Sequence, residues 1–232
     1  MILYIITGIS SGIGAELIKI IEKRSPIIGL TSKIEHQNLE KNIIYFPLDK
    51  KISKEDRHWL NLKIKIINFQ FSEINIIFNS AVYDNMFSKK DELKNILNIN
   101  FYNQINIYNF IKESDFKITK LIYFSSFEIY NQKSRMKFYK ESKKLWYNFY
   151  YDNLKKETIH KLFVLGGIRT ESYIKNTKNK KHRKLISFIV ADTNIAAKFI
   201  AKKIKSNNSE VIFYPKLYFY FNKFIKIFDM YK

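Results

Sequence analysis

The sequence predicts a single doubly wound α/β domain: a parallel sheet with helices on both faces. Short apolar runs alternate with longer amphipathic stretches along the chain. The runs are apolar at successive positions rather than at every second one, as expected of strands buried on both faces. Such strands, separated by helix-length segments, run parallel because each crossover lays a helix over the sheet. The 232 residues suffice for one full core, and three prolines and six glycines leave no room for a long linker. No internal repeat is present.

The elements follow in order. "ILYIIT" (2–7) reads as a strand and "GAELIKIIEKR" (14–24) as a helix, with Leu17, Ile20 and Ile21 on one face. Further strands are expected at 26–31, 43–48, 74–79, 120–126 and 161–167, with a last one at 210–215. Helices fill the gaps near 54–70, 90–113, 138–156 and 193–205. Ligands of such a sheet bind at the carboxyl ends of its strands, so residues just after each strand are the first functional candidates.

Gly8, Gly12 and Gly14 concentrate half of the glycines in "ITGISSGIG", directly after the first strand and at the start of the first helix. Glycine there permits a tight turn, admits a pyrophosphate against the backbone and leaves the helix N-terminus to bind its charge. The fold is accordingly Rossmann-like.

Preceded by Thr7, the Gly-x-x-x-Gly-x-Gly spacing resembles that of the short-chain dehydrogenases/reductases, in the short single-domain branch. Further motifs stand in the family's order. "NSAV" (79–82) is similar to its Asn-Asn-Ala-Gly, and Asn100 falls in the helix that follows. Tyr-x-x-x-Lys occurs at Tyr108, Tyr139 and Tyr151. The family commonly carries a serine 13 residues earlier, and only Tyr139 finds one, Ser126; the other two find Asn95 and Phe138. "GGIRT" resembles the family's Pro-Gly and following Thr, at Gly167 and Thr170. The resemblance covers the chain to about residue 205.

The resemblance implies an NAD(P)(H)-dependent oxidoreductase that reduces a ketone or aldehyde, or runs the reverse oxidation of an alcohol. Tyr139 would protonate the carbonyl oxygen, Lys143 would tune Tyr139 and hold the nicotinamide ribose, Ser126 would orient the substrate oxygen, and Asn100 would support the water chain that replaces the proton. Tyrosine at i and lysine at i+4 share one helix face, and an adjacent cation is expected to lower the phenol's pKa. Thr7, Gly8, Ser10, Ser11, Gly12, Ile13 and Gly14 would form the cofactor loop, joined by Asn79, Ser80, Ala81, Gly167 and Thr170. Asp49, after the third strand, matches the family's adenine-contacting aspartate; capping a turn is the alternative.

At the end of the second strand, Thr31, Ser32 and Lys33 offer hydroxyls and a cation, which suit a 2'-phosphate and favour NADP(H); Glu35 keeps NAD(H) open. Two positions depart from the pattern: Val82 replaces a glycine and Gly166 a proline. "FSSFEIY" is similar to the extended branch, which modifies nucleotide sugars, but the glycine spacing and short chain are not.

Cysteine is absent, which excludes a disulfide framework, a thiolate metal site and a cysteine nucleophile, and the four histidines are scattered. No metal is expected. The formal charge of +20 is open to two readings, an anionic partner or the Lys/Ile/Asn/Phe/Tyr bias of A/T-rich codons. "KNTKNKKHRK" (175–184) lies where the family places its substrate lid, about 171–190, and is either an anion-attracting lid or a solvated charge run. The tail 217–232 has helical apolar spacing suited to core or subunit packing, with peripheral membrane contact the alternative. A cytoplasmic protein is expected, without a leader or membrane span. The family's usual dimer surface, on the helices near 90–113 and 138–156, implies a homodimer or homotetramer. A noncatalytic nucleotide-sensing protein is the rival reading, and nucleic-acid binding a more distant one.

Overall fold

The computed structural model describes residues 1–39, 41–48, 56–84, 91–132, 134, 136–154, 160–170, 190–206 and 209–213. Asp49, the basic segment 175–184 and the tail 217–232 lie outside them.

Seven strands form one parallel sheet: β1 (Ile2–Thr7), β2 (Ile27–Thr31), β3 (Ile43–Tyr45), β4 (Glu73–Phe78), β5 (Ile118–Ser126), β6 (His160–Leu165) and, numbered in chain order, β9 (Glu210–Phe213). They are ordered β3-β2-β1-β4-β5-β6-β9. β7 (Ile168–Arg169) and β8 (Ala191–Asp192) make a small parallel pair of their own, not expected from the sequence because two residues carry no periodicity.

Alternation along each strand divides the core. Leu3 and Ile5 of β1, Ile76 and Phe78 of β4, and Leu121 and Tyr123 of β5 point to one face. There they meet Trp59 and Leu62 of α2 (Arg57–Ile67), Ile107 and Ile111 of α4 (Asn103–Glu113), and Trp146 and Tyr150 of α5 (Lys137–Leu154). Tyr4, Ile6, Ile77, Ile122 and Phe124 point to the other face. They pack on Ile13, Leu17 and Ile21 of α1 (Gly12–Ile21) and on Ala196, Ala197 and Ile200 of α6 (Thr193–Ile204). Both faces of the central strands are thus buried, which is why their sequences read as unbroken apolar runs.

The expected helix 90–113 is not continuous. α3 (Glu92–Leu97) passes through a π-helical turn, Asn98–Tyr102, before α4 begins. Such a turn inserts an extra residue into the helical ladder and re-aims the side chains around it. Asn100 lies in the turn.

Candidate active site

The strand order reverses between β1 and β4, and the crevice outside their carboxyl ends holds the candidate site. Thr7 ends β1 completely buried. Its hydroxyl donates to Gln104 Oε1 (2.9 Å) and accepts from the backbone N–H groups of Asn79 (2.9 Å) and Ser80 (3.1 Å). Asn79 Nδ2 donates to the Gly8 carbonyl (2.8 Å), so the loops after β1 and β4 are bound directly to each other. Thr7, expected beside a cofactor, faces this network and acts on the loop's frame.

Gly8 and Gly12 have φ of +66° and +61°. A Cβ at Gly8 would stand 2.7 Å from Ser80 Cα, and one at Gly14 would stand 2.2 Å from the Gly8 carbonyl oxygen and 2.6 Å from Asn79 Nδ2. Backbone approach therefore requires glycine at both. Among the described residues, a Cβ at Gly12 would meet only Thr170, at 3.4 Å. Ser11 caps α1 without a side-chain hydrogen bond, and the first turn holds no acidic residue. That leaves the helix's N-terminal N–H groups available to an anion, beside Ser10, Ser11, Gly12 and Ile13. These features fit a pyrophosphate.

Gly14→Ala is expected to lower stability by about 3 kcal/mol, because overpacking here meets backbone rather than flexible side chains. Gly12→Ala, whose cost is the positive φ alone, should lose about 1 kcal/mol. Urea unfolding of the two variants checks the order.

At the end of β2, the Thr31 hydroxyl is turned into its own loop, accepting from the Lys33 N–H at 3.1 Å. Ser32 is half-buried and Lys33 exposed, next to the short 3-10 turn that contains Glu35.

The loop after β4 is clamped at each step. Val82 N–H donates to Asn100 Oδ1 (2.7 Å) and the Val82 carbonyl accepts from Asn100 Nδ2 (2.9 Å). Asp84, buried, accepts from the backbone N–H groups of Phe138 (3.0 Å) and Tyr139 (2.7 Å), capping α5 from across the crevice. Between these clamps, the Tyr83 ring lies 4.6 Å from the Tyr139 ring, centroid to centroid. Burial raises the pKa of the Tyr83 phenol, opposed by the neighbouring Thr170 and Tyr139 side chains.

Ser126, Tyr139 and Lys143 come together. Ser126 ends β5; its hydroxyl accepts from the Glu128 N–H (3.3 Å) and acts to lower the pKa of Tyr139. Lys143, one turn along α5, places Nζ 5.4 Å from the centroid of the Tyr139 ring and donates to the Phe124 carbonyl (3.0 Å). The expected depression of the phenol's pKa is corrected here. Burial first, and neighbouring Tyr83 and Glu128 with it, push Tyr139 well above its ordinary value, against the opposing hydrogen bond from Ser126. Tyr139 is therefore a protonated phenol at neutral pH, an acid rather than a ready base. Burial also moves Lys143 down, to about 8.

Asn100 stands apart from this group. Its amide holds Val82 and donates to Ser142 Oγ (2.9 Å), which in turn donates to the Tyr139 carbonyl (2.7 Å). The Asn100 carbonyl accepts from Trp146 Nε1 (2.6 Å) and Gln104 Nε2 (2.9 Å), committing both lone pairs. Both groups of Asn100 are thus engaged in positioning the loop and α5.

Tyr83, Asp84, Gln104 and Trp146 are functional neighbours that the sequence reading does not single out. Gln104 and Trp146 carry a weak signal, one turn beyond Asn100 and Lys143 on the same helix faces. Tyr83 and Asp84 carry none, in a chain with 16 tyrosines. Ala81, Gly167 and Thr170 border the same crevice: Ala81 is half-buried in the clamped loop, and a Cβ at Gly167 would meet Val190 at 2.8 Å. Among the described residues, no cluster of three His, Asp or Glu side chains suits a metal ion.

No family model and no curated protein matches the chain. Solved structures do. A 4-hydroxyisoleucine dehydrogenase complexed with NADH is 18% identical, with a TM-score of 0.67 over 91% of this chain and 96% of that one. A short-chain dehydrogenase/reductase described as glucose/ribitol dehydrogenase, from Brucella melitensis, is 12% identical with a TM-score of 0.71, covering 90% and 93%. A serine dehydrogenase complexed with NADP+ is 12% identical with a TM-score of 0.66, covering 94% and 96%. At these identities the likeness establishes the fold, which is that of the short-chain dehydrogenases/reductases.

Proposed function

We propose that this chain, which has the short-chain dehydrogenase/reductase fold, is an NAD(P)(H)-dependent oxidoreductase of that family. It reduces a small ketone or aldehyde, or oxidises the corresponding alcohol. The observation that carries this reading is the meeting of Ser126, Tyr139 and Lys143 at the crevice that also holds the glycine loop. The resemblance to the family's motifs selected those three residues from the sequence, and their convergence in space supports it.

Gly12, Ile13 and the start of α1 would hold the cofactor's pyrophosphate, and Thr170, Tyr139 and Lys143 would hold its nicotinamide end. When bound, the cofactor supplies the hydride for a carbonyl carbon. The chain's own residues then handle the oxygen. Ser126 donates a hydrogen bond that holds the oxygen near the Tyr139 hydroxyl, and Tyr139 gives up its proton as negative charge develops there. Lys143 adds a buried positive charge close to the phenolate that this transfer leaves.

Lys33 favours NADP(H) over NAD(H), as the exposed cation at the end of β2. The test is calorimetric titration with NADPH and, separately, NADH, at about 0.15 M salt to suppress nonspecific charge effects. NADPH should bind more tightly. Lys33→Ala should weaken NADPH about fivefold, the measure of one exposed charge pair, and leave NADH unchanged. Binding of neither cofactor would overturn the reading and leave a noncatalytic role, to which Val82 in place of glycine points. A homo-oligomer and a cytoplasmic location belong to the same reading. No helix among the described residues is long and apolar enough to cross a membrane.

A further inference from the structure

We propose that Asp84 is a positioning residue for carbonyl reduction: it caps α5 from the loop after β4 and thereby fixes where Tyr139 stands relative to that loop. This inference rests on the oxidoreductase reading above.

A helix leaves its first N–H groups without partners in its own ladder, and the residue just before it ordinarily supplies an oxygen that accepts from the second or third of them. In α5, which begins at Lys137, those two are Phe138 and Tyr139. Met136 precedes the helix and has no side-chain oxygen to offer. Its carbonyl accepts from the Lys140 N–H (2.9 Å) and its N–H donates to Ser134 Oγ (3.1 Å). The acceptor comes instead from Asp84, 54 and 55 positions away. Its Oδ2 accepts from the Phe138 N–H at 3.0 Å and its Oδ1 from the Tyr139 N–H at 2.7 Å, so one buried carboxylate satisfies both groups.

The other side of Tyr139 is held from the same loop. Its carbonyl accepts from Ser142 Oγ (2.7 Å), which accepts from Asn100 Nδ2 (2.9 Å), and the Asn100 amide holds both the N–H and the carbonyl of Val82 (2.7 and 2.9 Å). Both peptide groups of Tyr139 are thus tied to residues 82–84, directly by Asp84 and through Asn100 and Ser142 by Val82. Between these ties the Tyr83 and Tyr139 rings lie with centroids 4.6 Å apart and planes tilted by 32°. The same loop begins at Asn79 and Ser80, which are bound to Thr7 and Gly8 of the glycine turn. The segment that would line the cofactor therefore also sets the place of the proton donor.

A misplacement of about 1 Å can cost about a hundredfold in rate, so loss of the direct tie should be read in kcat rather than in binding. A cap that served only the helix could equally be supplied from position 136. Asp84→Ala removes the tie together with the cap. Adding Met136→Asp returns an acceptor to the start of α5 without returning the tie.

The test compares the wild-type chain, Asp84→Ala and the double variant Asp84→Ala/Met136→Asp. The first readout needs no substrate: nuclear Overhauser contacts between the Tyr83 and Tyr139 rings. These should fall about twofold or more in Asp84→Ala and stay low in the double variant, while Met136→Asp recovers the thermal stability that Asp84→Ala loses. The second readout is reduction of 2,3-butanedione by NADPH, where kcat should fall about tenfold in both variants with KM and calorimetric NADPH affinity within twofold. Asp84→Asn, which keeps one acceptor oxygen, should lie between, with kcat about threefold below wild type. Should Asp84→Ala not fold, the same two readouts on Asp84→Asn decide. Unchanged ring contacts in Asp84→Ala, kcat restored by Met136→Asp, or wild-type kcat in Asp84→Asn each overturn the proposal and leave Asp84 as a helix cap only. If the wild-type chain reduces no carbonyl, the oxidoreductase reading fails, and the ring contacts still decide whether Asp84 places Tyr139.

Discussion

Tyr139→Phe is expected to lower carbonyl reduction by about a thousandfold or more while leaving NADPH affinity within twofold. The variant removes one oxygen and no packing, since the buried ring and its contact with Tyr83 remain. What disappears is the proton donor held by Ser126 at the crevice, and general acid catalysis of this kind contributes about 10²- to 10⁴-fold. Because burial keeps Tyr139 protonated well beyond neutral pH, the loss should be equally severe from pH 6 to pH 8. Steady-state kinetics alongside calorimetry decides the matter. A variant with more than a tenth of wild-type activity would show that the proton comes from elsewhere.

Lys143→Met should separate stability from function most sharply. Burial moves this lysine from 10.5 to about 8, so holding its charged form in the native state costs about 3 kcal/mol. The sign follows from linkage. Between pH 8 and 10.5 the unfolded chain binds the proton and the folded one does not, so stability rises with pH through that window. Below pH 8 the full penalty is present, and methionine, similar in length and uncharged, removes it. Because the Phe124 carbonyl loses its donor, the net gain in the unliganded protein should be about 1–2 kcal/mol at pH 7. That gain should fade as pH rises from 8 to 10.5. Activity should nevertheless be lost, since no buried cation remains near the phenolate. In the wild-type protein the same titration predicts that kcat/KM for reduction falls as pH rises through about 8, when Lys143 loses its charge. Urea unfolding across pH, with pH–rate profiles, checks each part. A destabilised Lys143→Met protein at pH 7 would mean that the lysine's hydrogen bond outweighs its desolvation.

Both residues are legible in the amino-acid sequence because their signal is local. Tyr139 is separated from Tyr108 and Tyr151 by its distance from Ser126, the spacing of the family that the chain resembles. The glycine loop is visible for a similar reason, since a strand, a tight turn and a helix start are adjacent along the chain. The strands are visible because burial on both faces leaves an unbroken apolar run.

Other features depend on groups far apart along the chain. Whether a buried tyrosine beside a lysine is driven up or down is set by the balance of desolvation against nearby charge, and burial prevails at Tyr139. The π turn at Asn100 arises inside a segment whose periodicity reads as one helix. Whether the Asn100 carbonyl is free is settled by Trp146, 46 positions away. Tyr83 and Asp84 gain their roles only where the loop after β4 meets the first turn of α5, 54 and 55 positions on from Asp84. Periodicity and short-range spacing therefore encode the sheet and the glycine turn, and the resemblance to the family's motifs points to the proposed proton donor. The donor's protonation state and hydrogen-bonded neighbours come from packing across the crevice, where burial and lone-pair occupancy are properties of the assembled fold.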